Sequence, residues 1–112
     1  MNIIEINGEI YIKKSLPLAS EYKIVRTYSA GVFAGYIESK EGQEVIMTNA
    51  RRLWQWYGAA SLSELATHGT KEPDKCKFPC CVERIHLFQV IEILDVTIKA
   101  KKSIDEVKVW SA

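Results

Sequence analysis

The sequence has little of what marks secreted, membrane or strongly charged proteins. It contains three cysteines, Cys76, Cys80 and Cys81, and an odd number with two adjacent does not suit a secreted disulfide framework. No apolar run approaches the ~20 residues of a membrane span, and the start, MNIIEINGEI, does not resemble a signal peptide. The net charge of +1 provides no overall field for a membrane or for a DNA or RNA polymer. We therefore expect a cytoplasmic protein with one domain, residues 1–112.

Motifs for catalysis and for cofactor binding are also missing. The chain has neither GxxxxGK[ST] nor GxGxxG, and neither GxSxG nor HExxH. It has two histidines, His68 and His86, which could be combined with the CKFPCC segment into a zinc site, but a second separated ligand pair is lacking. Cys80 with a histidine could form a nucleophile pair, although the spacing does not support it. We expect reduced thiols, no metal, no cofactor and no enzymatic activity.

Alternation of apolar and polar residues predicts strands in the first half of the chain. NIIEINGEIYIKK is typical of a hairpin around Asn7-Gly8, a dipeptide that favours type I′ turns. Residues 21–48 predict two or three further strands, with a turn at residues 40–43. Gly31 and Gly35 are unusual there and indicate a bulge or a close approach of backbone or ligand.

The pattern then changes to helical spacing. NARRLWQWYG predicts a helix capped by Asn49, and SLSELATHG predicts a second one, capped by Ser61 with Glu64 and ended by Gly69. Residues 82–96 predict a long strand, TIKAKKSIDEV a short helix, and KVW an edge strand. The expected fold class is α+β: an antiparallel β-sheet of about five or six strands with an inserted pair of short helices.

Arginine is scarce, and its distribution indicates one candidate binding region. The chain has four arginines, all between positions 26 and 84, whereas the lysines are spread over turns, loops and termini. Arginine suits bidentate contact with phosphate or carboxylate. In the predicted helix, Arg51 and Arg52 would lie at a positive N-terminus that favours an anion, and Trp54 and Trp56 could stack on a base. The alternatives stay open: each arginine pairs with a local acid, and Trp54 packs in the core.

Two distinctive segments are RTYSAGVFAG and NARRLWQWYGAASLSELATHG, and the VIEIL strand follows them. Together they resemble the Thoeris anti-defence sponge family of the first described type, whose members are small proteins common in tailed-phage genomes. The resemblance covers residues 22–96. It implies a protein that binds cyclic ADP-ribose isomers made by bacterial TIR-domain enzymes, does not cleave them, and so prevents activation of an abortive-infection effector. Some members also hold cyclic oligonucleotides at separate sites. The family implies antiparallel sheets with a helical pair, assembled as dimers and hexamers, with pockets at subunit interfaces.

Carried over onto this chain, the resemblance implies two phosphate-facing segments. The first would use the side chains or backbone of Arg26, Thr27, Ser29, Ala30 and Gly31. The second would use Asn49, Arg51, Arg52 and Trp54, with Phe78 and Arg84 as further candidates. The N-terminal hairpin and the CKFPCC loop do not match the family. The expected partners are a cyclic nucleotide signal and further copies of the same chain, in the cytoplasm of an infected bacterial host.

A second hypothesis assigns the protein to another functional class. A small sheet domain could display its tryptophans to a protein partner, as a phage structural or interaction module with no nucleotide ligand. The arginines separate the two hypotheses. A nucleotide sponge predicts that Arg26, Arg51 and Arg52 converge on one or two pockets, within one chain or across subunits. An interaction module predicts that they scatter and pair with glutamate or aspartate.

Overall fold

The computed structural model describes the backbone of residues 2–6 and 9–13 and the full residues 17–112. The first two segments pair as an antiparallel hairpin, and Asn7-Gly8, the predicted turn, lies outside the described residues. The elements are, in chain order, β1 (Asn2–Ile6), β2 (Glu9–Lys13), β3 (Leu18–Thr27), β4 (Val32–Glu41), β5 (Glu44–Arg52), α1 (Leu62–His68), a 3₁₀ turn (Pro73–Lys75), β6 (Cys81–Leu87), β7 (Val90–Thr97) and α2 (Ile98–Glu106).

Strands β3 to β7 form one antiparallel sheet in the order β6-β5-β4-β3-β7, which confirms the α+β fold class. The two edge strands, β6 and β7, are consecutive in the chain and are joined by only Phe88 and Gln89. A flat five-stranded sheet would hold its edges about 19 Å apart, whereas three residue steps span at most about 11 Å. The sheet must therefore curl until its edges approach each other at this end.

The curl gives the sheet a concave and a convex face, each with its own apolar cluster. The concave cluster is made of strand residues, including the fully buried Val25, Phe33 and Met47. The convex face packs against the two helices through residues such as Ile24 and Leu65. Successive residues of a strand point to opposite faces, so the two clusters explain why both parities of β3 and β4 are apolar near their centres.

Two helices form as predicted and one does not. Ser61 caps α1 by accepting a hydrogen bond from the Glu64 N–H, and Gly69 ends it. Residues 98–106 form α2, capped by Thr97. The helix predicted from Asn49 is wrong, because residues 49–52 complete β5 instead. The pair of helices inserted between β5 and β6 is therefore reduced to α1 and the 3₁₀ turn.

The apolar spacing in this segment has a different origin from a helix. Ala50 belongs to the concave cluster and Leu53 to the convex cluster. Positions three apart lie on opposite faces of a strand, and here each face is buried. Arg51 pairs with Cys81 on one side and with Ala34 on the other, so both neighbouring strands fix the extended backbone.

The last predicted strands also differ in detail. The long strand 82–96 is divided by the left-handed Gln89 (φ 55°) into β6 and β7. The KVW segment contributes a single bridge between Val109 and Phe78 rather than a strand. The turn at residues 40–43 is confirmed, with Gly42 at φ 59° between β4 and β5. No helix in the part of the chain that the structure describes is long and apolar enough to cross a membrane.

Candidate functional site

The loop between β3 and β4 is closed by Thr27. Its backbone N–H and its hydroxyl both donate to the Gly31 carbonyl, at 3.0 and 2.9 Å, and its hydroxyl accepts from the Ala30 N–H. Gly31 has a φ of 104°, a backbone conformation that residues other than glycine rarely adopt. Thr27 is therefore buried and its hydroxyl is engaged within the loop. The N–H groups of Ser29 and Gly31 have no hydrogen-bond partner among the described residues, which leaves them as the donors that the loop can offer a ligand.

Arg52 lies beside this loop. A Cβ placed on Gly31 would be 3.9 Å from the Arg52 Nε. The Arg52 guanidinium lies over the Phe33 ring, 4.6 Å from its centroid, and the residue is exposed. No carboxylate of the described residues lies within salt-bridge distance of it. The two segments that were predicted to face phosphate therefore come together at Arg52 and Gly31.

Two exposed aromatic rings lie close in sequence to Gly31 and Arg52. Tyr28, in the loop, is 77% exposed, and Trp54, two residues after Arg52, is 62% exposed. The alternative that Trp54 packs in the core is wrong. Trp56 is the tryptophan that packs, half-buried, against the convex cluster. Trp54 is thereby left with a ring face that a base or a partner side chain could cover.

Arg51 is placed differently from the prediction. It is 6% exposed, and its guanidinium donates to four backbone carbonyls, those of Phe78, Pro79, Ile104 and Val107, at 2.7 to 3.0 Å. These bonds use four of the five guanidinium donors. They join β5 to the segment before β6 and to the end of α2. We therefore remove Arg51 from the ligand-binding set.

Phe78 leaves that set for a related reason. Its side chain is fully buried, and the Arg51 guanidinium lies over its ring, 5.5 Å from the centroid. No face of the ring is left for a ligand. Cys80, in the same loop, and Cys81, at the start of β6, are exposed free thiols, whereas Cys76 is buried. Within the described residues, no three histidine, cysteine, aspartate or glutamate side chains are grouped closely enough to hold a metal ion.

Arg26 and Arg84 each pair with a glutamate of another strand: Glu92 lies on the adjacent strand β7, whereas Glu38 lies on β4, across β5 from Arg84. Arg26 Nε donates to Glu92 at 3.1 Å, and Arg84 donates to both carboxylate oxygens of Glu38 at 2.8 to 3.4 Å. The hydrogen bond from Arg84 holds the pKa of the Glu38 carboxyl below its usual value. All four side chains are about half exposed, so these pairs add little to stability.

The four arginines therefore do not converge within one chain. Arg26 precedes the loop on the face of Val32, which packs toward the helices, whereas Arg52 lies over Phe33 of the concave cluster. The scatter and the glutamate pairing of Arg26 and Arg84 match what the interaction-module hypothesis predicts. Arg52 keeps the arrangement that the nucleotide hypothesis predicts.

Asn49 lies at a bulge in β5. The β4–β5 register shifts between Ala34 and Tyr36, so that Asn49 and Ala50 both oppose Gly35. The φ of Asn49 is 47°. Gly35, on β4, makes room for this backbone: a Cβ there would lie 2.8 Å from the Ala50 Cα. The expectation that Gly35 marks a bulge and a close backbone approach is confirmed.

The bulge turns Asn49 toward a cavity of about 270 Å³ on the helix-bearing face. The other polar residues around it are Tyr22, Tyr36, Lys101 and Asp105, none of which was among the predicted site residues. They come from β3, β4 and α2, and no spacing along the chain indicates that they meet. Arg51 forms part of the cavity wall, whereas Arg52, the next residue of β5, points to the opposite face. The cavity and the Arg52 site therefore lie on opposite sides of the sheet.

Comparison with known proteins gives one result. The family described as Domain of unknown function (DUF6948) matches residues 20–104, which include most of β3, all of β4 to β7 and α1, and most of α2. No curated protein and no solved structure matches the chain. The family description names no ligand and no activity, so the resemblance to the Thoeris anti-defence sponges stays a prediction. The chain belongs to the DUF6948 family.

Proposed function

We propose that the protein binds an anionic cyclic nucleotide signal and sequesters it without cleaving it. The observation that carries the proposal is the approach of the exposed Arg52 to the Gly31 loop. A Cβ on Gly31 would be 3.9 Å from the Arg52 Nε, and the Ser29 and Gly31 N–H groups of this loop have no partner in the described part. Guanidinium and backbone N–H groups are the usual donors to phosphate oxygens. The Arg52–Gly31 contact is the proposed phosphate site.

The neighbouring aromatic rings support the same class of ligand. A cyclic ADP-ribose isomer or a cyclic oligonucleotide carries phosphates and at least one purine. The exposed rings of Tyr28 and Trp54 offer sequence-tolerant stacking surfaces close in the chain to the phosphate donors. Binding of this type needs donors and ring faces, and it needs no general acid or base.

The site is open in one chain, which bears on how it would hold a signal. Slow release requires enclosure, and Tyr28, Trp54 and the loop are exposed. We propose that a second copy of the chain covers the site in a dimer or hexamer. Sequestration of a bacterial immune signal in the cytoplasm of an infected host would then be the biological role.

The test compares two exposed arginines by isothermal titration calorimetry with cyclic ADP-ribose isomers and cyclic trinucleotides. Arg52→Gln removes the proposed phosphate contact, and a charge-assisted hydrogen bond of about 1.5–3 kcal/mol corresponds to a roughly 10- to 100-fold weaker affinity. Arg84→Gln is the matched control, because Arg84 is equally cationic but already pairs with Glu38. Ligand recovered after heat denaturation should be intact. Absence of binding to the wild-type protein would contradict the proposal, and a hydrolysed product would indicate an enzyme.

A second candidate function has its own support. Apolar side chains are exposed at the end of the sheet where β6 and β7 meet: Tyr28 at 77%, Phe88 at 57% and Ile91 at 47%. Together with the glutamate-paired Arg26 and Arg84, this surface favours a protein-interaction module. If that function is the correct one, Tyr28→Ser with Phe88→Ser would abolish association with a protein partner, and the wild-type protein would bind no cyclic nucleotide.

A further inference from the structure

The cavity beside Asn49 is separate from the proposed phosphate site. It lies between the convex face of the sheet and α2, with Val107 on its apolar side. Arg51 lines it, whereas Arg52, the next residue in the strand, points to the other face. A ligand in this cavity and a phosphate at Arg52 are thus on opposite sides of β5.

The backbone is built to turn Asn49 into this cavity. Asn49 has a left-handed φ of 47° and lies at the bulge where the β4–β5 register shifts. The bulge requires a residue without a side chain on the neighbouring strand, and Gly35 occupies that position, where a Cβ would lie 3.0 Å from the Asn49 carbonyl oxygen. Bulges commonly re-aim a side chain beside a binding site, and strain of this kind persists where surrounding structure enforces it.

Two of the polar groups that line the cavity make no hydrogen bond to a described residue, and neither is a buried atom left without a partner. The Asn49 amide and the Tyr22 hydroxyl have no hydrogen-bond partner among the described residues. Lys101 and Asp105 bind each other at 2.6 Å, so their charges offset one another. The Lys101 ammonium also lies over the Tyr22 ring, 5.1 Å from its centroid. Arg51 carries the remaining charge of the lining, and four of its five donors are already bonded to backbone carbonyls. The cavity therefore offers mainly neutral hydrogen-bonding groups and aromatic surface.

Burial keeps Tyr22 in its neutral form. Its side chain is 4% exposed, and desolvation, with a smaller contribution from Asp105, raises the pKa of the phenol well above its usual value. The hydroxyl is then both a donor and an acceptor at any physiological pH. Tyr36 meets Tyr22 edge to face at 5.3 Å between ring centroids, which fixes the aromatic wall.

We propose that this cavity binds a small, neutral, planar heterocycle whose edge presents a donor and an acceptor side by side, as a nucleobase does. A primary amide presents the complementary pair, and asparagine recognises the N6/N7 edge of adenine in this way. The volume of about 270 Å³ suits one such ring system, below the range for larger ligands. Asn49 supplies the recognition edge, Tyr22 a further hydrogen bond, and Tyr36 and Val107 the ring contacts.

The test is a titration followed by NMR of the ¹⁵N-labelled protein, observing the side-chain amide of Asn49. Free adenine is the probe, and benzimidazole, which has the same ring shape without the adjacent donor and acceptor, is the comparison. We expect adenine to bind with a dissociation constant of about 1 mM or tighter. Benzimidazole should bind roughly tenfold more weakly, which is the discrimination expected of one bidentate pair.

Asn49→Gly is the informative variant, because glycine removes the amide and adopts φ 47° more readily than asparagine. The thermal midpoint should stay the same or rise, while adenine affinity falls roughly tenfold. Asn49→Asp, which keeps the shape but loses the N–H donors, should lose affinity as well. Arg52→Gln should bind adenine like the wild type, which separates this cavity from the phosphate site. No response of the wild type to adenine, or equal binding by Asn49→Gly, would overturn the proposal.

Discussion

Replacing Arg51 with methionine should destabilise the fold more than any other arginine substitution among the described residues. Methionine keeps most of the length of the side chain but leaves four carbonyls, including those of Phe78 and Val107, without their donor. Breaking one partner of a buried charged network costs about 3–5 kcal/mol, and four net hydrogen bonds at about 1 kcal/mol each give the same size. We expect a loss of about 4 kcal/mol, a large share of the ~5–15 kcal/mol that stabilises a small domain.

The assay is urea denaturation of Arg51→Met beside Arg84→Met, followed by circular dichroism. Arg84 makes its ion pair on the surface, so its loss should cost less than about 1 kcal/mol. Arg51→Lys should recover little of the loss, because one ammonium cannot reach four carbonyls spread over two segments. If Arg51→Met unfolds within about 1 kcal/mol of the wild type, the structural role assigned to Arg51 is wrong and its earlier assignment as a ligand residue regains support.

Two further predictions concern the backbone and pH. Gly35→Ala should destabilise the protein by roughly 1–3 kcal/mol, because the added Cβ would lie 2.8 Å from the Ala50 Cα; unchanged denaturation would mean that β4 and β5 are farther apart. The pKa of Tyr22 is raised in the folded state by burial, so the unfolded phenol ionises first, near its usual pKa of about 10. Stability is then fully present below that pH and falls above it. Urea midpoints should drop between pH ~9 and ~11, and this drop should be smaller in Tyr22→Phe.

The fold class could be predicted because the strand signals are local. Alternation along β3 and β4 and the cap at Ser61 depend on neighbouring residues, and the structure has them where the sequence indicates. The segment from Asn49 to Leu53 could not be predicted this way. Its apolar spacing fits a helix and a strand buried on both faces equally well. Pairing decides between them, both with β4, the preceding strand, and with β6, which is distant in sequence.

The candidate site was predicted in part, for a related reason. The distinctive sequence segments around Gly31 and Arg52 were both predicted to belong to the site. The two segments come together because β4 pairs with β5. The burial and structural role of Arg51 could not be predicted, because its four carbonyl acceptors lie 27 to 56 residues away in the chain. The cavity at Asn49 was missed since its remaining residues come from separate elements.

Native mass spectrometry of the protein purified from cells that produce the signal tests the central claim most directly. We expect the wild-type protein to carry the mass of an intact cyclic nucleotide, in an assembly of two or six copies, and Arg84→Gln to do the same. Arg52→Gln should assemble alike and carry little or none of that mass. A wild-type assembly without any added nucleotide mass, or equal loading of Arg52→Gln, would contradict the proposal that Arg52 and the Gly31 loop hold the phosphate of a sequestered signal.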